Sequence, residues 1–270
     1  MQVIRQVSPT LRAVPSGSVP YHTPAEHTMN KILAAVTLTL AAGAVSAAHF
    51  SYEGHEAPEF WGDLHPDFSA CKAGKFQSPI DITDAIEAKH HRPIAFKYTG
   101  EAETVINNGH TIQVSFKEGS TMVLEGKQFK LLQVHFHTPS EYTLGGQHFP
   151  MVGHIVHQAD DGQLLVVAVM FTEGDENPVI ADIWKNAPQK HDETTPIKSV
   201  DVGALVKDFD AYYRLEGSLT TPPCTEGVMW IIGKQPLSAS KEQMETFTKI
   251  IGKNNRPVQK QNGRAVLVSQ

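Results

Sequence analysis

Alternating apolar and polar residues predict β-strands over most of the chain after residue 48. Ile112, Val114 and Phe116 alternate with polar neighbours, which is the period of a strand that buries one face. Apolar-rich runs of strand length follow at 129–136, 164–171 and 229–232. Such runs are typical of interior strands, so this part of the chain is predicted to be built on one large sheet.

Capping signals also predict two helices. Asn177 and the proline after it open the first helix, which should end near Asn186. Ser240 and Gln243 form a capping box at the start of the second helix, and a glycine ends it. Because no linker rich in glycine or serine interrupts the pattern, residues 48–270 are predicted to form a single domain of mixed α/β class dominated by β.

The segment before residue 48 has a different character. Lys31 gives a short positive start, an apolar run follows, and small residues around Ala47 offer cleavage sites. This order predicts a cleavable signal peptide over residues 29–47, and hence a periplasmic or secreted protein; a buried N-terminal helix is the alternative. Residues 1–28 carry four prolines and no periodic apolar pattern. They are predicted to be an upstream or mis-assigned extension, with Met29 as the true start.

Composition and charge exclude some partners. The 270 residues are 40% hydrophobic and carry a net charge of −6. Without a basic cluster, neither nucleic acid nor, after signal cleavage, an anionic membrane is a predicted partner. Only two cysteines occur, Cys71 and Cys224. An even pair in an exported protein predicts one structural disulfide, and two free buried thiols are the alternative.

Histidines give the chain its main chemical signal. His135 and His137 are two residues apart in a predicted strand, so both imidazoles project from one face. His154 lies in the next predicted strand and meets them if the two strands pair antiparallel, whereas His157 has the opposite parity and is predicted to be structural. Three imidazoles suit a tetrahedral zinc ion whose fourth position is open for water, as in a catalytic site. Core or surface histidines that bind no metal are the alternative.

The order of motifs along the chain points to a family. The chain resembles the α-class carbonic anhydrases, and specifically their secreted bacterial members. Eight motifs carry the resemblance: Trp61-Gly62-Asp63-Leu64, Gln77-Ser78-Pro79-Ile80-Asp81-Ile82, Asn107-Asn108-Gly109-His110, Gln133-Val134-His135-Phe136-His137, Ser140-Glu141, His154-Ile155-Val156-His157, Gly217-Ser218-Leu219-Thr220-Thr221-Pro222-Pro223 and Asn255-Arg256-Pro257-Val258-Gln259. Each motif is weak alone, but eight in the family's order and spacing are not a chance similarity.

The resemblance implies a large, mostly antiparallel, twisted central sheet with a few short surface helices and one Zn²⁺ per chain at the base of a conical cavity. It implies reversible hydration of carbon dioxide to bicarbonate and a proton by attack of zinc-bound hydroxide. Carbon dioxide and bicarbonate would then be the small-molecule partners. It also implies the disulfide Cys71–Cys224, and it leaves open whether the protein is a monomer or a homodimer.

The resemblance also assigns roles to residues around the three zinc ligands. Thr220 would accept a hydrogen bond from the hydroxide, Glu141 would accept one from Thr220, and His110 would shuttle the proton out of the cavity. Gln133 stands on the same strand face as His135 and can orient it. The water network is expected to involve Tyr52, Asn108 and Gln113, and the substrate side to be lined by Thr220, Thr221, Val156, Val166, Leu219, Val228 and Trp230.

One position departs from the family pattern. A glutamate usually stands two residues before the third zinc ligand, but this chain has Val152 there. Valine accepts no hydrogen bond, so the partner of His154 is either absent or supplied by a backbone carbonyl or a water molecule. Loss of such a partner typically costs roughly 10–100-fold in metal affinity or activity. We therefore predict weaker zinc retention.

Other functions fit the sequence less well. A non-enzymatic carbonic anhydrase-like binding module is the first alternative, although such modules typically lack a zinc ligand and this chain has all three, with Thr220 and Glu141. Another zinc hydrolase, such as an esterase, would be expected to carry a Ser–His–Asp elbow or an HExxH motif, and neither appears. A zinc-buffering protein would need a longer histidine-rich run than His90-His91.

Overall fold

The computed structural model describes residues 49–88 and 93–269. They lie within one compact unit, residues 46–270. The predicted extension 1–28 and signal peptide 29–47 fall outside the described residues. Among the described residues, no helix has both the length and the apolar character needed to cross a membrane.

Strands dominate the described part of the chain, as the sequence predicts. The strands are β1 (Asp81–Ile82), β2 (Ile86–Glu87), β3 (Ala95–Lys97), β4 (Ala102–Asn107), β5 (Ile112–Phe116), β6 (Thr121–Leu124), β7 (Lys127–His137), β8 (Thr143–Leu144), β9 (Met151–Gln158), β10 (Leu164–Glu173), β11 (Glu193–Pro196), β12 (Tyr212–Ser218), β13 (Glu226–Gly233), β14 (Leu237–Ala239) and β15 (Leu267–Val268). The α-helices are α1 (Trp61–Leu64), α2 (Ala70–Ala73), α3 (Pro178–Asn186) and α4 (Lys241–Ile251), and 3₁₀ turns lie at Gly54–Glu56, Pro66–Phe68 and Val202–Val206.

One large sheet organises the molecule. Thirteen strands belong to it, and its main path runs β11-β4-β5-β7-β9-β10-β13-β12-β15-β2. Most neighbours pair antiparallel, including β7 with β9 and β9 with β10, whereas β10 pairs in parallel with β13. The predicted fold class, a large and mostly antiparallel sheet with few helices, is confirmed.

The sheet separates two buried clusters, because neighbouring residues on a strand point to opposite faces. On β9, Met151 and Ile155 join one cluster, while Val152 and Val156 join the other. Strand β10 is buried on both faces over most of its length, which explains the continuous apolar run predicted at 164–171.

Helices α3 and α4 cover the face opposite to the histidines of β7. Phe136 points to this face and packs edge-on against Trp184 of α3, with ring centroids 5.0 Å apart. Trp184 in turn stacks on Phe247 of α4 at 5.4 Å. Both predicted caps form: the Asn177 side chain accepts from backbone N–H groups of α3, and Ser240 with Gln243 makes the capping box of α4. Packing against α3 and α4 holds β7 in position. The opposite face of the same strand carries His135 and His137, which are therefore held in position as well.

Candidate metal centre and active site

Two adjacent strands bring the predicted zinc ligands together. In the antiparallel pair of β7 and β9, His135 is directly opposite His154, and His137 is opposite Val152. Alternation on β7 puts His135 and His137 on one face, as predicted. The potential ligand atoms of the three imidazoles all lie within 4.8 Å of one another. His137 and His154 are almost fully buried. The three rings therefore converge on one point.

Hydrogen bonds fix two of the three imidazoles. Nδ1 of His135 lies 2.8 Å from Oε1 of Gln133, the partner that the sequence predicts. Nδ1 of His137 lies 2.7 Å from the backbone carbonyl oxygen of Asn254. A carbonyl only accepts, so Nδ1 of each ring donates and Nε2 is left as the lone-pair nitrogen facing the centre.

His154 is oriented differently from the other two. Its Nδ1 lies 3.8 Å from Oε2 of Glu141, and Nε2 of His137 lies 3.6 Å from the same oxygen. Nδ1 of His154 therefore faces the centre and Nε2 faces outward. That Nε2 is buried and has no hydrogen-bond partner among the described residues. Its ring packs against Trp230 at 4.9 Å. The missing acceptor agrees with the valine at position 152.

Burial sets the protonation state of the cluster. Desolvation lowers the pKa of His135 and His154 well below the usual histidine value, and the nearby imidazoles lower it further. Both rings are thus neutral at physiological pH, which is the form that binds a metal ion. Nε2 of His137 is buried and makes no hydrogen bond within the described structure, as a metal-ligating nitrogen should. The three imidazole nitrogens, with no fourth His, Cys, Asp or Glu grouped with them among the described residues, suit zinc with one open position.

A buried carboxylate lies beside the histidines. Glu141 is fully buried, and its Oε1 accepts from the backbone N–H of Arg256 at 3.0 Å. Desolvation raises its pKa, while His137, the Arg256 backbone N–H and the nearby Thr220 side chain lower it. Thr220 is also buried. Glu141 and Thr220 therefore lie near each other, with Oε2 of Glu141 beside His137 and His154.

Two supporting residues went unassigned in the sequence analysis. Asn254 binds His137 through its carbonyl, and its side chain bonds the backbone of Thr138, Phe136 and His110. Arg256 lies within a quoted motif, but the motif did not reveal its role. Buried to 1% exposure, its guanidinium donates to Gln77, Ser78 and Cys71 at 2.8–3.0 Å. It ties the segment around Glu141 to the first described part of the chain.

A cavity of about 210 Å³ opens from the histidines. We call it the inner cavity. The predicted site residues that line it are Tyr52, Asn108, His110, Gln113, Gln133, His135, His137 and Thr221. The Tyr52 hydroxyl is buried without a partner among the described residues, and burial raises its pKa well above the usual value. The side chains expected to order water thus surround one space between His110 and the metal centre.

An apolar wall lies beside His154, whose ring packs against Trp230. Val156, Val166, Val228 and Trp230 belong to one buried cluster, and Leu219 packs against it. Trp230 is fixed by donating from Nε1 to the carbonyl of Ser218 at 3.0 Å. The structure thus brings together the five apolar residues that the sequence analysis grouped as the substrate side.

The predicted disulfide forms. Cys71 and Cys224 are bonded, with Cα atoms 5.0 Å apart. The bond joins α2 to the loop between β12 and β13. His157, predicted to be structural, points away from the centre, is fully buried, and bonds the Tyr98 hydroxyl at 2.7 Å.

Comparisons with known proteins agree with this geometry. The family model for eukaryotic-type carbonic anhydrase matches residues 56–270. A carbonic anhydrase from Pectobacterium carotovorum is 42% identical over 234 residues, covering 86% of this chain and 96% of the relative. One from Neisseria gonorrhoeae is 41% identical over 238 residues, covering 87% and 94%.

A solved structure shares the fold. The α-carbonic anhydrase of Thermovibrio ammonificans, in complex with the inhibitor sulfanilamide, is 44% identical with a TM-score of 0.78. The match covers 82% of this chain and all of that one. With the family model, the relatives and the three converging imidazoles in agreement, the chain belongs to the α-carbonic anhydrase family and is a zinc enzyme of reversible carbon dioxide hydration.

Proposed function

We propose that the enzyme holds one zinc ion through Nε2 of His135, Nε2 of His137 and Nδ1 of His154. When bound, zinc lowers the pKa of a water molecule to near neutrality, as it is known to do in carbonic anhydrases, and so supplies a hydroxide nucleophile. The observation that carries this proposal is the convergence of the three imidazoles within 4.8 Å beside the buried Glu141.

Glu141 and Thr220 aim the nucleophile. An ionised Glu141 can only accept, so the Thr220 hydroxyl donates to it and keeps its oxygen lone pairs free as acceptors. The Thr220 oxygen is then free to accept a hydrogen bond from a hydroxide at the centre, which would aim a lone pair of that hydroxide at the substrate. Orientation of this kind lowers the barrier because the reacting atoms are held in line before the reaction. The Thr220 backbone N–H and Thr221 contact bicarbonate.

The apolar wall binds carbon dioxide. The substrate has no charge and no hydrogen-bond donor, so side chains that exclude water hold it loosely. Val156, Val166, Leu219, Val228 and Trp230 supply this surface next to His154. The product is an anion, which an apolar surface does not stabilise, so bicarbonate leaves readily.

Turnover also requires that a proton leaves the centre. We assign this step to His110, because it is only partly buried and lines the inner cavity that opens from the zinc ligands, and an imidazole can both take up and release a proton. Tyr52, Asn108 and Gln113 line the space between His110 and the ligands, and order the water through which the proton moves.

Stopped-flow hydration of carbon dioxide tests the proposal. The purified protein is measured as isolated, after treatment with a zinc chelator, and after zinc is returned. We expect the chelator to abolish hydration and zinc to restore it. A protein that loads one zinc per chain yet does not hydrate carbon dioxide would instead be a binding module.

The disulfide and the bacterial relatives indicate a location outside the cytoplasm, where disulfides persist. We infer export to the periplasm or the medium through the predicted signal peptide at 29–47. The N-terminal sequence of the mature protein tests this inference: a chain that begins after Ala47 agrees with it, and one that retains residues 29–47 contradicts it.

A further inference from the structure

The loop between β12 and β13 is anchored at both ends by one short segment of the chain. It comprises residues 219–225 and carries the threonine that aims the nucleophile, so we call it the threonine loop. Just before the loop, the backbone N–H of Ser218 donates to Oγ of Ser78 at 3.1 Å, and the N–H of Ser78 donates to Oγ of Ser218 at 2.9 Å. Near its end, the carbonyl of Cys224 accepts from Nε2 of Gln77 at 3.0 Å. Two adjacent residues, Gln77 and Ser78, therefore clamp both ends of the loop.

Gln77 and Ser78 are closely packed. Gln77 is 4% exposed, and Ser78 is fully buried. A Cβ atom added at Gly217 would overlap Oγ of Ser78, and one added at Gly74 would overlap Nε2 of Gln77. Glycine at these two positions thus leaves the space that the clamp occupies.

The guanidinium of Arg256 holds both residues of the clamp. Its Nη1 donates to Oε1 of Gln77 at 2.9 Å and to the carbonyl of Ser78 at 2.8 Å. Its Nη2 donates to the carbonyl of Cys71 at 3.0 Å, and Cys71 is bonded to Cys224 of the threonine loop. A planar guanidinium can reach these three oxygens at once, whereas the ammonium of a lysine is one compact group. The side chain of Arg256 therefore sets where the threonine loop lies.

The backbone of the same residue holds Glu141. The N–H of Arg256 donates to Oε1 of Glu141 at 3.0 Å. Catalysis as proposed above requires that Glu141 and Thr220 act together on the hydroxide. Arg256 thus fixes Glu141 through its backbone, and through its side chain it fixes the loop that carries Thr220.

We propose that Arg256 and Gln77 are positioning residues for the reaction, which keep the threonine loop in register with Glu141. The proposal rests on the proposed function, in which Thr220 aims the nucleophile. Neither Arg256 nor Gln77 lines the inner cavity, so both act on the reacting atoms through Thr220. A displacement of about 1 Å in an orienting group can cost on the order of 100-fold in rate.

A positioning role differs from a purely structural one in its kinetics. A contact that only stabilises the fold changes the amount of active enzyme, so its loss lowers kcat and kcat/KM by the same factor. A misplaced Thr220 instead slows the attack on carbon dioxide, which kcat/KM reports, while kcat also contains the release of the proton through the inner cavity. Loss of positioning should therefore lower kcat/KM more than kcat.

Stopped-flow hydration of carbon dioxide by the zinc-loaded enzyme tests the proposal. The variants are Gln77→Met, which removes both hydrogen bonds of the amide, and Arg256→Lys, which keeps the charge but not the planar fork. Gln259→Met is the matched control, because the Gln259 amide donates to the carbonyl of Pro257 two residues away and not to the threonine loop. Thr220→Ala serves as the reference for loss of orientation. Zinc content, thermal unfolding and amide hydrogen exchange of the threonine loop are recorded for each protein.

We expect Gln77→Met to lower kcat/KM about ten-fold, with a smaller fall in kcat and one zinc per chain retained. The N–H of Cys224, which donates to the carbonyl of Thr221 at 2.9 Å, should exchange faster. Arg256→Lys should change the same quantities in the same direction. If that variant does not fold, Gln77→Met carries the test alone. Gln259→Met should match the parent in all of them.

The outcomes separate the positioning role from the proposed function. If Thr220→Ala keeps the parental kcat/KM, the role of Thr220 fails, and the positioning role fails with it. If Thr220→Ala lowers kcat/KM and Gln77→Met does not, the positioning role is wrong and the role of Thr220 stands. An equal fall of kcat and kcat/KM in Gln77→Met would indicate a contact that serves the fold alone, which also overturns the proposal.

Discussion

The outward nitrogen of His154 provides a quantitative test of how this site holds zinc. His135 and His137 each donate to an acceptor, but Nε2 of His154 is buried without one in the described structure. Val152 is on the same face of β9 two residues away, and is itself 1% exposed. Replacing it with glutamate or glutamine puts an acceptor on the side of the ring that lacks one.

The size of the effect follows from the cost of an unpaired buried group. A buried donor left without a partner costs about 1–3 kcal/mol, which corresponds to roughly 5- to 150-fold in an equilibrium constant. Measured losses of outer partners at metal sites fall within roughly 10–100-fold. An acceptor at position 152 would remove this cost in the zinc-bound form, in which His154 is held in place. The free energy gained should therefore appear as slower zinc release.

Release of zinc to an excess of chelator is the assay, followed optically in the parent and in three variants. Val152→Met is the control, because methionine has about the length of glutamate and glutamine but offers only a weak acceptor. All three substitutions enlarge the residue and share an overpacking cost of about 1–3 kcal/mol. The comparison is therefore made with Val152→Met, with thermal unfolding recorded for each protein.

We expect Val152→Glu and Val152→Gln to lose zinc about ten-fold or more slowly than Val152→Met. Two acceptors are tested because a buried carboxylate carries a desolvation cost that the neutral amide avoids. If both release zinc as fast as Val152→Met or faster, the unpaired nitrogen does not limit zinc retention, and the reasoning from His154 is wrong.

Three further predictions address the pocket, the disulfide and the acid response. Val166→Tyr should suppress hydration while zinc content stays at one per chain, since the tyrosine ring fills the apolar wall; unchanged turnover would remove Val166 from the pocket. Cys71→Ser with Cys224→Ser should lower the free energy of unfolding in denaturant by on the order of 4–5 kcal/mol, because the bond closes a loop with a sequence separation of 153; a change below about 1 kcal/mol would contradict this loop-entropy argument. Burial lowers the pKa of His157 to about 3 from 6.5, so unfolding takes up a proton between these values, and the free energy of unfolding should fall as the pH drops from 6.5 toward 3. In the zinc-free protein, His157→Gln should reduce this dependence of the unfolding free energy on pH. An unchanged dependence would show that His157 is not its source.

Much of the site follows from strand parity, which a sequence displays directly. Because His135 and His137 are two residues apart on β7, they lie on one face, and Gln133 lies on the same face. On β9, His157 is three residues from His154 and so lies on the opposite face. The contacts agree with each of these assignments. Local signals also sufficed for the caps of α3 and α4, because each depends on residues within one turn.

Long-range contacts could not be obtained in this way. The carbonyl that orients His137 belongs to Asn254, 117 residues away, and any residue type supplies a carbonyl. Strand β7 shifts register between Leu131 and Gln133 against β9, and no pattern of apolar residues reveals such a bulge. The choice of Nδ1 on His154 and the stacking of Phe50 on His110 likewise depend on packing that only the folded chain contains.

The central claim is that three imidazoles hold one zinc ion and leave one coordination position open. Anomalous diffraction at the zinc edge from crystals of the zinc-loaded protein measures this directly. We predict one peak per chain at about 2.0–2.1 Å from Nε2 of His135, Nε2 of His137 and Nδ1 of His154, with a single non-protein ligand completing the tetrahedron. No peak between these rings, or a fourth ligand from a side chain, would contradict the account.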